Sequence, residues 1–323
     1  MAQPTLPTIL VSDIDSLRAL VQEHIKTYGL RVNLNHLDVS NMTSMRGVFQ
    51  ELKFQGDISR WNTSNVEDFA NMFYACTFNR DISNWNTSKA SNMDSMFARS
   101  SFRGDISRWN VGGVESMSTM FWGSKFDGDL SQWDVSNVKD MNRMFARSKF
   151  RGAISQWNVG RVKNFCRMFA GSCFDGDISN WDVSHATSMD YMFSCSQFNQ
   201  DISRWNVAGV NHFFRMFDNC QFRQDISSWN YKDDGDYDSF CFPDWRKQPY
   251  SLGFWWHVSH YKTPNPNRTP WITADDAQAI VQTRKIGESL GLTEMAVVKL
   301  LYQAHRHKHS LQPGMEIDCD LFS

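Results

Sequence analysis

Length, composition and charge already exclude several protein classes. The chain has 323 residues, a net charge of −2 and 41% hydrophobic residues, values that exclude a disordered tail and a uniformly basic nucleic-acid binder. No run approaches the roughly 18 consecutive apolar residues of a transmembrane helix, so we expect no membrane span. The N-terminal residues carry no export or lipidation signal, and the 7 cysteines show no disulfide spacing. We therefore expect a cytoplasmic protein with reduced thiols, or one exported by a non-classical route.

Residues 1–30 predict a helix at the N-terminal end of the chain. Ser12 and Asp13 are typical N-cap residues, and the amphipathic segment IDSLRALVQEHIKTY after them ends at Gly29. A stack of repeats needs a polar cap at its open end. We therefore assign residues 1–30 to an N-terminal cap.

Residues 31–231 consist of about eight copies of a 24-residue unit. Trp recurs every 24 residues from Trp61 to Trp229, and a Phe stands seven residues before each Trp. The unit reads V-x-x-M-x-x-M-F-x-x-S-x-F-x-x-D-I-S-x-W-N-V-S-x. Its first half has helical spacing, and its second half is rich in strand-forming residues. Such a unit cannot bury its own apolar face, so we expect an α/β solenoid of stacked coils, each with a short helix and a short parallel strand.

The repeats also resemble a known family. Segments such as FNQDISRWNVAGV and FDGDLSQWDVSNVKDMNRMF are similar to the BspA-like leucine-rich-repeat surface proteins, including repeats of mycoplasma and Listeria lipoproteins. The opening LRALVQEHIKTYGLRVNLNHLDVSNMTSMRGVF resembles the entry segment of those repeats. The resemblance implies a leucine-rich-repeat-like solenoid of bacterial origin whose surface binds varied partners. This chain departs from the family in its missing export signal and its slightly shorter repeat.

Each constant position of the unit forms a column of side chains along the predicted stack. The Trp column is either a buried spine or an aromatic platform for carbohydrates or other small ligands. The Asp column either accepts backbone N–H groups in turns or binds calcium. It comprises Asp57, Asp81, Asp105, Asp129, Asp177, Asp201 and Asp225, with Ala153 as the one interruption. The cysteines within the repeats are expected to be small buried fillers.

The variable positions are where we expect a partner to bind. The position two residues after the first Met or Phe of the unit holds different residues from coil to coil, and several are Arg. The middle coils are rich in Lys and Arg, which indicates either a solvated surface or a docking site for an acidic protein or a nucleic acid. The candidate partner-binding residues are Arg99, Arg103, Trp122, Arg143, Arg147, Arg151, Arg167, Tyr191 and Arg215.

Residues 232–323 are expected to form a C-terminal capping region with two helices. Within it, IGESLGLTEMAVVKLLYQAHRHKH resembles a helix-turn-helix. That resemblance implies DNA contacts by Thr293, Glu294, Met295 and Lys299. Two packed helices that only cap the stack would show the same pattern.

No catalytic motif accompanies these features, and we expect no enzyme activity, cofactor or metal site. The sequence therefore predicts a non-enzymatic scaffold, an adaptor or effector, that recognises another protein through the Arg-rich middle coils. A DNA-binding regulator and a carbohydrate-binding protein are the two alternatives. The sequence leaves the partner and the oligomeric state open.

Overall fold

The computed structural model describes residues 6–222 and, beyond them, residues 224, 226 and 229. The predicted C-terminal cap, with Thr293, Glu294, Met295 and Lys299, lies outside the described residues. Within the described part, no helix is long and apolar enough to cross a membrane.

The described chain begins with a short strand and a helix. β1 (Ile9–Leu10) precedes α1 (Ile14–Tyr28), and β2 (Leu37–Asp38) pairs with β1 in parallel. The Asp13 carboxylate accepts a backbone N–H of the first helical turn at 2.8 Å and so caps α1. Gly29, at φ 86°, ends α1 in the left-handed region that favours glycine. The helix therefore begins and ends at the residues that the sequence indicated.

From residue 33 onwards, the chain forms coils that pair with one another 24 residues apart. Each pairing is a single parallel bridge and not an extended strand. One bridge joins Asn33 to Asp57, and a second line of bridges runs through Ser44, Asp68, Asn92, Ser116, Asp140, Asn164, Ser188 and His212. The period of the sequence is therefore also the period of the backbone pairing.

Consecutive amides in the V-x-x-M-x-x-M-F segment alternate between two kinds of partner. The N–H groups of Phe69, Asn71 and Phe73 donate to carbonyls of the next coil at 2.8–2.9 Å. Those of Met72 and Tyr74 donate to carbonyls three residues earlier at 3.0–3.1 Å. An α-helix needs every amide for a bond to the carbonyl four residues earlier. The segment therefore forms consecutive turns and not the short helix that the spacing predicted.

The Asp of each unit forms a turn where the sequence predicted a short strand. One carboxylate oxygen accepts the N–H of the Ser two residues later at 2.8–2.9 Å in Asp57, Asp81, Asp105, Asp129, Asp177 and Asp201. In Asp105 these hydrogen bonds from Ser107 lower the pKa of the carboxyl group. The interpretation of this column as turn-forming is confirmed, and the turns explain why no strand forms there.

Aromatic rings fill the interior of the coils. The rings of Phe49 and Phe73 stack at 5.4 Å and those of Trp61 and Trp85 at 6.4 Å, both nearly parallel. The eight column Trp side chains, from Trp61 to Trp229, are only 3–4% exposed. Each donates its ring N–H to a carbonyl 27 residues earlier, at 2.9–3.2 Å. The alternative of a carbohydrate platform on the Trp column is therefore wrong, because the rings are buried in the core.

The cysteines of the described repeats divide by burial. Cys76 and Cys220 are buried, as predicted for fillers, whereas Cys166 and Cys173 are half-buried. Cys195 is exposed, so the prediction of a buried filler is wrong for that residue.

Two further columns adopt a left-handed backbone in every coil, with φ between 50° and 65°. They lie four residues apart in the unit. The first column comprises Gly47, Asn71, Ser95, Thr119, Arg143, Arg167, Tyr191 and Arg215. The second comprises Glu51, Ala75, Arg99, Gly123, Arg147, Gly171, Cys195 and Asn219. Only three of these residues are Gly, although the left-handed region costs other residues about 1–2 kcal/mol.

Replacement of a column Trp tests the buried role of its ring. Trp133→Phe removes the ring N–H that donates to the Ile106 carbonyl at 3.0 Å and leaves that buried carbonyl without this partner. We expect the free energy of unfolding, measured by urea titration, to fall by about 2 kcal/mol or more. Trp122→Phe, at a half-buried ring outside the column, is the control and should change it by less than about 0.5 kcal/mol. Equal losses in the two variants would contradict the assignment.

Glycine at a left-handed arginine tests the cost of that backbone. Arg147→Gly should raise the free energy of unfolding by about 0.5 kcal/mol, because about 1–2 kcal/mol of strain exceeds the roughly 0.5–1 kcal/mol entropy cost of glycine. Gly123 and Gly171 already occupy the same column. Arg151→Gly, at a residue without positive φ, should instead lower the free energy. The same sign of change in both variants would show that the left-handed position carries no strain.

Candidate functional site

The two left-handed columns border a groove of about 490 Å³ on the middle coils. Arg143, Arg167 and Tyr191 contribute to it from the first column, and Arg147 and Cys195 from the second. Small residues between the columns also line it, namely Ala146, Ala170 and Ser194. The remaining lining residues are Tyr74, Ser95, Thr119, Trp122 and Gly171.

The groove exists because small residues follow a large one along one column. Trp122 occupies the position that Ala146 and Ala170 hold in the next two coils. The Trp122 indole therefore forms one end of the depression over these coils, and the methyl groups of Ala146 and Ala170 form its floor. Gly171 leaves a further gap in the second column, one coil after Arg147.

The groove is cationic. Three arginines line it, and none of the described residues that line it is Asp or Glu. The ion pairs found within the described part of the chain all lie elsewhere, between Arg18 and Asp15, Arg46 and Asp68, and Lys139 and Glu115. Arg143 and Arg147 are both exposed to solvent. Their guanidinium groups are therefore available to an anion from outside the chain.

Aromatic rings position some of the neighbouring guanidinium groups. The Arg167 guanidinium lies 4.2 Å from the centre of the Tyr191 ring, and that of Arg99 lies 6.0 Å from Trp122. Such cation–π contacts hold a cation without neutralising it. Asp190 is not a lining residue, and its carboxylate instead accepts the backbone N–H of Phe214 at 2.7 Å.

The structure brings together most of the residues that the sequence singled out. Those that line the groove are Trp122, Arg143, Arg147, Arg167 and Tyr191. Arg99 and Arg215 belong to the same two columns but do not line it, and the Arg215 guanidinium lies 5.3 Å from the Phe214 ring.

Arg103 and Arg151 do not belong to this site. Both are exposed, both lie outside the groove lining, and neither has a positive φ. Their backbone amides donate to Asn79 and Asp127 one coil earlier, at 2.8 and 2.7 Å. They therefore lie outside the groove, and their part in partner binding stays a prediction.

Sequence reasoning missed several residues of the groove. The sequence predicted Cys195 to lie in the core, and nothing in it indicated that Tyr74, Ala146 and Ala170 line a groove. A sequence feature that could have indicated these groove residues is a second variable position, four residues after the first in each unit. The second of these holds Arg99, Gly123, Arg147 and Gly171 in successive coils, and the recurring Gly indicates a left-handed backbone at that position.

The repeats also match a known family model. Three overlapping segments, residues 16–124, 99–194 and 146–245, match the family described as Mycoplasma protein of unknown function, DUF285. No curated protein and no solved structure matches the chain. The three segments together extend from α1 through every described coil. The chain therefore belongs to the DUF285 family of repeat proteins.

Proposed function

We propose that this chain is a non-enzymatic, solenoid-type recognition scaffold that binds a protein partner through its two left-handed columns. The observation that carries the proposal is the set of arginines at strained backbone positions for which no ion pair is found among the described residues. Strained backbone tends to persist where a function requires it. The BspA-like surface proteins that the repeats resemble also imply a binding surface, which agrees with this proposal.

A stack of rigid coils suits this role because the residues that pack the core differ from those proposed to contact the partner. The aromatic columns are buried in every coil, so a change in the left-handed columns does not disturb them. The outward side chains are held on a backbone that is bonded to its neighbours on both sides. Binding then costs little loss of backbone freedom.

Charge reversal in the groove tests the proposal. The variant Arg143→Glu, Arg147→Glu, Arg167→Glu should weaken binding of the partner at least about tenfold, or about 1.4 kcal/mol, because each glutamate replaces a guanidinium group proposed to contact the partner with a negative charge. The measurement is quantitative affinity capture from an extract of the bacterium that encodes the chain, with wild type and variants in parallel.

A matched control separates the groove from general charge effects. Arg103→Glu, Arg108→Glu, Arg151→Glu makes the same change of charge at exposed residues outside the groove. It should retain the proteins that the wild type captures, and both triple variants should keep the circular dichroism spectrum of the wild type. If no protein is lost selectively by the groove variant, the proposal is overturned.

A further inference from the structure

The chemistry of the groove specifies the charge of its occupant. Arg143 and Arg147 are exposed, and Arg167 is half-buried against Tyr191. Among the described residues, no Asp or Glu lines the same space. Arginine binds carboxylates through paired, parallel N–H donors, which makes it a strong and specific partner for them. An occupant that carries several carboxylates would neutralise all three guanidinium groups.

The shape of the groove specifies the size of the occupant. Its volume of about 490 Å³ lies within the range of pockets that hold small ligands or short segments, and it is too small for a folded surface. Within the groove, the three arginines lie between Trp122 and Tyr191, whose coils are three steps apart in the stack. At about 4.8 Å for each step, this cationic part of the groove is about 14 Å long, the length of about four extended residues.

The two left-handed columns form opposite walls of the groove, and their arginines specify which residues of the occupant must be acidic. Arg143 and Arg167 belong to the first column, and Arg147 belongs to the second. Successive side chains of an extended peptide point in opposite directions. A segment that lies along the groove therefore reaches both walls only when consecutive residues are acidic.

We propose that the groove binds an extended peptide segment of about four consecutive acidic residues, whose carboxylates pair with Arg143, Arg147 and Arg167. This inference rests on the proposed function and names the class of partner at the same site. The segment lies between Trp122 and Tyr191, and the small side chains of Ala146 and Ala170 admit its backbone.

The probe that tests this proposal is a fluorescein-labelled tetraglutamate peptide, with tetraglutamine as the uncharged control. Fluorescence anisotropy is measured with the full chain at low ionic strength. We expect tetraglutamate to bind and tetraglutamine not to bind. Arg143→Gln, Arg147→Gln, Arg167→Gln should weaken the binding at least about tenfold, whereas Arg103→Gln, Arg108→Gln, Arg151→Gln should change it by less than about twofold.

Three results would overturn the proposal. These are no binding of tetraglutamate, equal binding by the groove and control variants, and tighter binding of a single-stranded oligothymidylate of the same charge. The last result would indicate a nucleic-acid groove. If tetraglutamate fails while the groove variant still loses a captured protein selectively, only the acidic peptide is excluded. If both experiments fail, the proposed function fails as well.

Discussion

Hydrogen bonds between successive coils are the constraint on which the rest of the structure depends. From Met45 to Cys195, alternate amides of one segment in each coil donate to carbonyls of the next coil, so each of these coils needs a neighbour to satisfy its backbone. This bonding keeps identical positions in register and brings Phe over Phe and Trp over Trp. A shift of one residue between coils would place polar residues in the core, so the 24-residue period must stay constant.

The same bonding explains the left-handed columns and, through them, the groove. Turns repeated every four residues require a left-handed residue at each step, as at Arg143 and Arg147. Glycine would fit these positions best. The backbone conformation therefore does not explain why arginine occupies these positions, and the proposed role in recognition would explain it.

Part of this organisation could be predicted from the sequence, and the reason is physical. The constant spacing from Trp61 to Trp229 predicted coils in register. It left a buried spine or an aromatic platform open for the Trp column, and turns or calcium binding open for the Asp column. The structure shows a buried Trp spine and Asp turns. The prediction of a helix in each unit was wrong because apolar residues spaced three apart also occur in consecutive turns. Only the alternating hydrogen bonds distinguish consecutive turns from a helix. The groove could be predicted only in part, because Arg151 and Arg147 are equally variable in sequence and only the turn between them separates them.

The central claim is that the column rings are core and that Trp122 stands at the binding groove. Hydroxyl-radical footprinting, read by mass spectrometry, measures the accessibility of each Trp in one experiment. We predict oxidation of Trp122, reduced when tetraglutamate is bound, and protection of the eight column residues from Trp61 to Trp229 with and without peptide. Oxidation of the column residues as fast as Trp122, or no change at Trp122 on binding, would contradict the claim.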